Sequence, residues 1–141
     1  MLLAQTNSNL IAGYGTGLIG KEQSLGAVRD KMWKIRSKVW LELDGKPIIG
    51  EWRWNILRAI EQSGSIVGAS RVTGISYRRI WGEIQDMEQA VGHPIVLTQR
   101  GGSKGGGTEL TFIARDLMER FQQSQKGIRD KVDGRFEKTF G

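Results

Sequence analysis

Tyr77, Arg78 and Arg79 open an amphipathic run that follows Gly74, Ile75 and Ser76. Cationic side chains at the head of a helix oppose the positive end of its dipole, at about 0.3–1 kcal/mol each. A chain that breaks a local rule tends to do so at a working site. The chemistry on offer is hydrogen-bond donation. One guanidinium can donate to guanine O6 and N7 together, worth about 1–3 kcal/mol of discrimination between bases. Two arginines and a tyrosine at the tip of the second helix of a helix-turn-helix suit the major groove of DNA. Helix phase favours Arg78 for bases and leaves Arg79 for a phosphate; a phase error of one residue exchanges them. Tyr77 can donate to a phosphate, pack on a thymine methyl, or half-bury itself. Trp81 either wedges between helices or faces the groove. Gly82 would let the helix approach closely. Ser65 and Ser76 are helix caps first, and the helix ends they cap can also hold phosphate.

Three helices must position those side chains. The first is predicted over 51–62, with Trp52, Ile56, Leu57 and Ile60 on one face and Gly64 stopping it. Ser65 caps a short second helix to about residue 73, with Ile66, Ala69 and Val72 turned inward. Ala69 is small where two helices cross. Gly74 is the left-handed residue after that helix. Ser76 caps the third helix, which runs to about residue 91. Its Ile80, Ile84, Met87 and Val91 recur at helical spacing. Gly92 ends it, and Pro94 prevents a restart.

Strands flank this core. Val39, Leu41 and Leu43 alternate with Trp40 and Glu42, Asp44-Gly45 is a two-residue hairpin turn, and residues 46–49 return. Residues 95–99 and 108–110 form a second hairpin around a loop of five glycines, a serine and a lysine. Arg100, Ser103 and Lys104 make that loop positive, with no acid between Thr98 and Gly107, so it can lie against phosphates. Arg71 and Thr73 are weaker backbone candidates. A last helix is predicted from about residue 111 to residue 131. Ile113 or Ala114, Leu117, Phe121, Ile128 and Val132 mark its apolar stripe; either a second subunit covers it, with Leu117, Phe121 and Ile128 as dimer contacts, or the helix packs on its own domain with a frayed end. Arg115, Arg120, Lys126 and Arg129 alternate with acids and read as a solvated face. Residues 1–31 hold no lasting period and read as a flexible tail, with a short helix over 24–33 as a further expectation.

Composition narrows the chemistry. The chain has 141 residues, 38 % of them hydrophobic and 26 % charged, which is ordinary for a globular protein. Its formal net charge of +6 favours a polyanionic partner. The absence of cysteine removes disulfides, thiolate nucleophiles and zinc fingers. The single histidine, His93, lies between Gly92 and Pro94 and cannot form a cluster. No apolar run approaches the ~18 residues of a membrane span, and no signal peptide is recognisable. Residues 102–108 lack the Lys-Ser/Thr pair of a P-loop, and no carboxylate pair or nucleophile with its base is evident. Neither an enzyme, a metal site nor a cofactor is expected.

Ser-Gly-Ser-Ile at 63–66, Gly-Ile-Ser-Tyr at 74–77, Trp81, the glycine-rich 101–107 and Leu-Thr at 110–111 together resemble the N-terminal DNA-binding domain of the molybdate-responsive regulators (ModE). More distantly, Ser76, Ile80, Ile84, Met87-Glu88, Gly92 and Pro94 resemble LysR-type winged helices. The likeness spans residues 38–132. It implies a homodimeric transcription regulator on a palindrome-like operator, with the third helix in the major groove, the wing on the backbone and dimer contacts through the last helix. The C-terminal oxyanion-binding domains of that family have no counterpart before Gly141, so molybdate or tungstate binding is not expected of this chain.

The expected fold is mainly α with a small β-wing: a winged helix-turn-helix with a long C-terminal dimerisation helix. Its parts are a tail at 1–31, the winged domain at 32–110 and the dimerisation helix at 111–141. The expected function is sequence-specific binding of double-stranded DNA in the cytoplasm. The alternative is a winged-helix adaptor that binds proteins without specific DNA binding.

Overall fold

The computed structural model describes residues 24–25, 28, 31–99 and 107–141. The chain divides into two units, Met1–Lys34 and Ile35–Gly141. The flexible tail expected at 1–31 lies almost wholly outside the described residues. Of the short helix expected over 24–33, residues 26, 27, 29 and 30 lie outside the described residues, and residues 31–33 belong to no helix.

Within the second unit, β1 (Trp40–Leu43) pairs antiparallel with β2 (Lys46–Gly50). Asp44 and Gly45 join them at φ +50° and +76°, the left-handed pair that a tight hairpin needs. A bulge between Leu41 and Glu42 shifts the register. Val39 and Leu41 pack on the core as expected, but Leu43, past the bulge, is exposed.

Three helices follow: α1 (Glu51–Ser63), α2 (Ile66–Thr73) and α3 (Tyr77–Val91). The buried stripe of α1 is Ile56, Leu57, Ala59 and Ile60, with Trp54 half-buried beside it. Trp52 shares their helical phase yet is 50 % exposed near the start of α1. Val72 is likewise exposed: α2 has eight residues, and only Ile66 and Ala69 are buried. Ala69 is fully buried where α2 packs on α1 and α3. Ile80, Ile84 and Met87 of α3 are fully buried, with Val91 packed at the margin.

β3 (Val96–Gln99) and β4 (Gly107–Leu110) form the stem of the wing, paired from Val96 with Leu110 to Gln99 with Gly107. Glu88 of α3 holds the start of this stem. Its Oε1 accepts from the backbone N–H of Ile95 at 3.0 Å and of Val96 at 3.4 Å. The N–H of Thr108 donates to the Gly64 carbonyl at 2.8 Å, which ties the stem to the corner between α1 and α2.

Thr111 caps α4 (Phe112–Gln125) by accepting from the Ala114 N–H, and its hydroxyl donates to the Pro94 carbonyl at 2.8 Å. Ala114, Met118 and Phe121 are buried and Leu117 packs at the margin. The single helix expected to about residue 131 is two helices. Lys126 leaves helical geometry, Gly127 sits at φ +79°, and α5 (Ile128–Phe140) starts afresh. The left-handed φ of Gly127 suits glycine and strains other residues, so the break is written into the chain. No described helix is long and apolar enough to cross a membrane. Among the described residues, nine elements in this order, with a three-helix core, a two-stranded wing stem and two C-terminal helices, make a winged helix-turn-helix.

Candidate nucleic-acid interface

The turn between α2 and α3 is built by short polar side chains. The Ser65 hydroxyl caps α2 by accepting from the Gly68 N–H at 2.9 Å. The Ser70 hydroxyl donates to the Ile75 carbonyl at 2.6 Å. Thr73 Oγ1 donates to the Ala69 carbonyl at 2.7 Å and accepts from the Ile75 N–H at 3.2 Å. Gly74, at φ +72°, reverses the chain between them. Ser70 and Thr73 therefore fix the corner of the helix-turn-helix. Ser70 had no distinguishing signal in the sequence, and Thr73, weighed as a backbone contact, makes its bonds within the turn.

Ser76 caps α3, accepting from the Arg79 N–H at 3.2 Å. Tyr77 is 51 % exposed. Arg78 is exposed and has no ion pair or side-chain hydrogen bond among the described residues. Arg79 differs. Its Nε and Nη2 each lie 2.9 Å from Glu83 Oε1. Glu83 Oε2 accepts from Arg53 Nε at 2.8 Å. Arg53 Nη1 donates to the carbonyls of Pro47 and Ile48 at 2.8 and 3.0 Å, and its Nη2 lies 3.9 Å from Asp86. The violation of the dipole rule at the head of α3 is thus half relieved: Glu83 compensates Arg79, and Arg78 remains uncompensated.

The Glu83 side chain is only 10 % exposed. Burial pushes its carboxyl up, but the Arg53 hydrogen bond and charge, then Arg79 and the Trp52 indole, outweigh burial and hold it below its ordinary value of 4.5. A carboxyl whose folded pKa is depressed stabilises the fold above its unfolded pKa and loses that contribution as pH falls through the folded value. Stability measured by urea denaturation is expected to fall below about pH 4.5. Glu83→Gln is expected to flatten part of that acid limb; an identical limb in the variant would show that Glu83 is not a source of it.

Trp81 is partly buried and packs on the core. A Cβ added at Gly82 would meet nothing within 4 Å, which leaves this face of α3 open. Ser76, Arg78, Arg79, Gly82, Glu83 and Asp86 line a shallow depression of about 420 Å³ on it. Arg71 is exposed at the end of α2. Arg100, Ser103 and Lys104 lie outside the described residues. The structure thus brings Ser76, Tyr77, Arg78, Arg79 and Gly82 together on the leading turns of α3. Ser65 caps the preceding helix. Phe121 is fully buried within its own chain, Leu117 is half-buried against the same core, and Ile128 is half-buried at the start of α5.

No protein-family model matches the chain. The molybdenum transport protein ModE of Azotobacter vinelandii is 29 % identical over 100 residues, which cover 71 % of this chain and 37 % of the relative. The DNA-binding transcriptional dual regulator ModE of Escherichia coli K12 is 35 % identical over 79 residues, covering 56 % of this chain and 30 % of the relative. The chain spans about a third of the length of these curated relatives. Among solved structures, CbnR, a LysR family transcriptional regulator, superposes with a TM-score of 0.46 at 19 % identity, over 60 % of this chain and 28 % of CbnR. Over the stretch it shares with the curated relatives, this chain is similar to the ModE regulators, the likeness that its own motifs carry.

Proposed function

We propose that this chain binds double-stranded DNA in a sequence-specific way, as a homodimeric cytoplasmic transcription regulator without catalytic activity. The observation that carries this reading is Arg78: a guanidinium on the first turn of α3, exposed and without a partner among the described residues, on a helix fixed by caps and by three fully buried core residues. In this reading the leading turns of α3 enter the major groove, Arg78 meets base edges, and Ser76 and Tyr77 lie near phosphates. In the same reading the cationic side chains that the sequence carries at Arg100 and Lys104 meet the phosphate backbone. Names of curated relatives that describe DNA-binding regulators support the same reading.

A second copy fits against α5. Ile128, Val132 and Phe136 recur every four residues along it and are half-buried, and none of its residues is fully buried. A helix of 13 residues whose apolar face is only half-buried gains little from propensity alone and calls for a further cover. Since Phe121 and Leu117 are taken up by their own core, Ile128 is the one of the three expected dimer contacts that this reading retains in the interface.

The test is selection of random duplexes on the purified protein, then binding of the selected and scrambled duplexes across salt. Wild type is expected to enrich one motif and to weaken steeply with salt. Arg78→Ala is expected to lose about 1–3 kcal/mol of discrimination, roughly 5- to 150-fold. Unchanged preference in Arg78→Ala would move base reading to other residues. No salt-dependent DNA affinity in wild type would favour the adaptor.

A further inference from the structure

We infer that Glu83 is a specificity-setting positioning residue: it withholds Arg79 from the phosphate backbone, so that Arg78 alone among the two neighbouring guanidiniums is free to meet DNA. This rests on the reading of α3 as the DNA-contacting helix and deepens it.

The two arginines are equivalent in chemistry and adjacent in sequence, and their environments separate them. Arg79 closes onto Glu83 Oε1 through two nitrogens, both at 2.9 Å. An exposed pair one helical turn apart is ordinarily too weak and too mobile to keep an arginine from a phosphate. This pair has a fixed half. Glu83 is nearly buried, and its second oxygen is held by Arg53, which is itself anchored on two backbone carbonyls of β2. The carboxylate cannot swing outward with Arg79, so Arg79 must leave a preformed acceptor to reach DNA. The charges agree. Arg53 and Arg79 pair with Glu83 and Asp86 around this part of α3, and Arg78, which lines the same depression, is the guanidinium without a carboxylate partner among the described residues.

The consequence concerns the ratio of specific to non-specific binding. Non-specific affinity is supplied by phosphate neutralisation, and each phosphate contact adds about 0.9 to the salt slope. Base reading sets the difference between sequences. A paired Arg79 lowers the first without touching the second, and so widens the ratio that matters on a genome.

The experiment uses the full chain and measures binding of a selected and a scrambled duplex from low to high salt, for wild type, Arg78→Ala, Arg79→Ala and Glu83→Gln. Arg79→Ala is expected to leave the salt slope within about 0.3 of wild type and scrambled-duplex affinity within about twofold, while Arg78→Ala shallows the slope or erases the preference. Glu83→Gln is expected to steepen the slope by about 0.9 and to tighten scrambled-duplex binding severalfold, narrowing the specific-to-scrambled ratio. A structural role for Glu83 would lower both affinities together and leave the slope alone. A slope shallower by about 0.9 in Arg79→Ala would place Arg79 on a phosphate and overturn the inference. That variant changes a side chain 65 % exposed, so it reports even if Glu83→Gln fails to fold. Wild type without salt-dependent binding would overturn the inference together with the DNA reading; wild type that binds, with Arg79→Ala shallow, would overturn the inference alone.

Discussion

Phe121→Ala is expected to cost about 3–5 kcal/mol of folding stability, the range for emptying a well-packed aromatic site. Phe121 heads the largest side chains that are fully buried, and it shares one core with Ile49 of β2 and Ile56, Leu57 and Ile60 of α1. α4 packs on β2 and β4, so alanine would open a cavity where α4 meets the rest of the domain. The measurement is chemical denaturation at two protein concentrations tenfold apart. A core role predicts the same loss at both. If Phe121 instead served a subunit interface, the variant would lose its concentration dependence and keep the stability of the dissociated chain. A loss under about 1 kcal/mol at the lower concentration would therefore contradict the packing described here.

Arg53→Ala is expected to cost about 2–4 kcal/mol, although arginines on helix surfaces usually contribute within ±0.5. The side chain is 17 % exposed and hydrogen-bonds three partners, Glu83 and the carbonyls of Pro47 and Ile48, with Asp86 3.9 Å away. Its removal leaves a nearly buried carboxylate with only Arg79 and the Trp52 indole, and two strand carbonyls without this donor. Arg53→Lys restores the charge but not the fork that serves Glu83 and β2 at once, so it is expected to recover only part of the loss. Thermal unfolding at neutral pH ranks the three proteins. Equal melting temperatures for wild type and Arg53→Ala would mean that the network adds nothing to the fold, and would also remove the anchor that keeps Glu83 in place.

Most helix boundaries were legible because they are local. Ser65, Ser76 and Thr111 cap the three helices they precede, and Gly64, Gly74 and Gly92 follow the helices they end. Each signal depends on atoms within four residues of itself. The stripe Ile80, Ile84 and Met87 was legible for the same reason: three turns of periodicity name a face. Periodicity does not name depth. Trp52, Val72 and Leu43 share a phase with buried neighbours and are exposed, because the core ends before it reaches them. The break at Gly127 was visible as a cost, but whether a helix bends through a glycine or stops there depends on what packs beside it.

At the candidate site, the sequence by itself determined that a short capped corner presents Tyr77, Arg78 and Arg79 at the head of an amphipathic helix, and that a glycine-rich positive loop follows. Only the tertiary structure separated the two arginines. Arg53 and Glu83 stand thirty positions apart, and nothing in either's neighbourhood announces the other. Their meeting requires α1 to lie across α3 with β2 alongside, and that arrangement follows from the shape and volume of the whole core. Hydrogen bonding within a helix is written in its own few residues; which acid reaches which base across a fold is decided by packing.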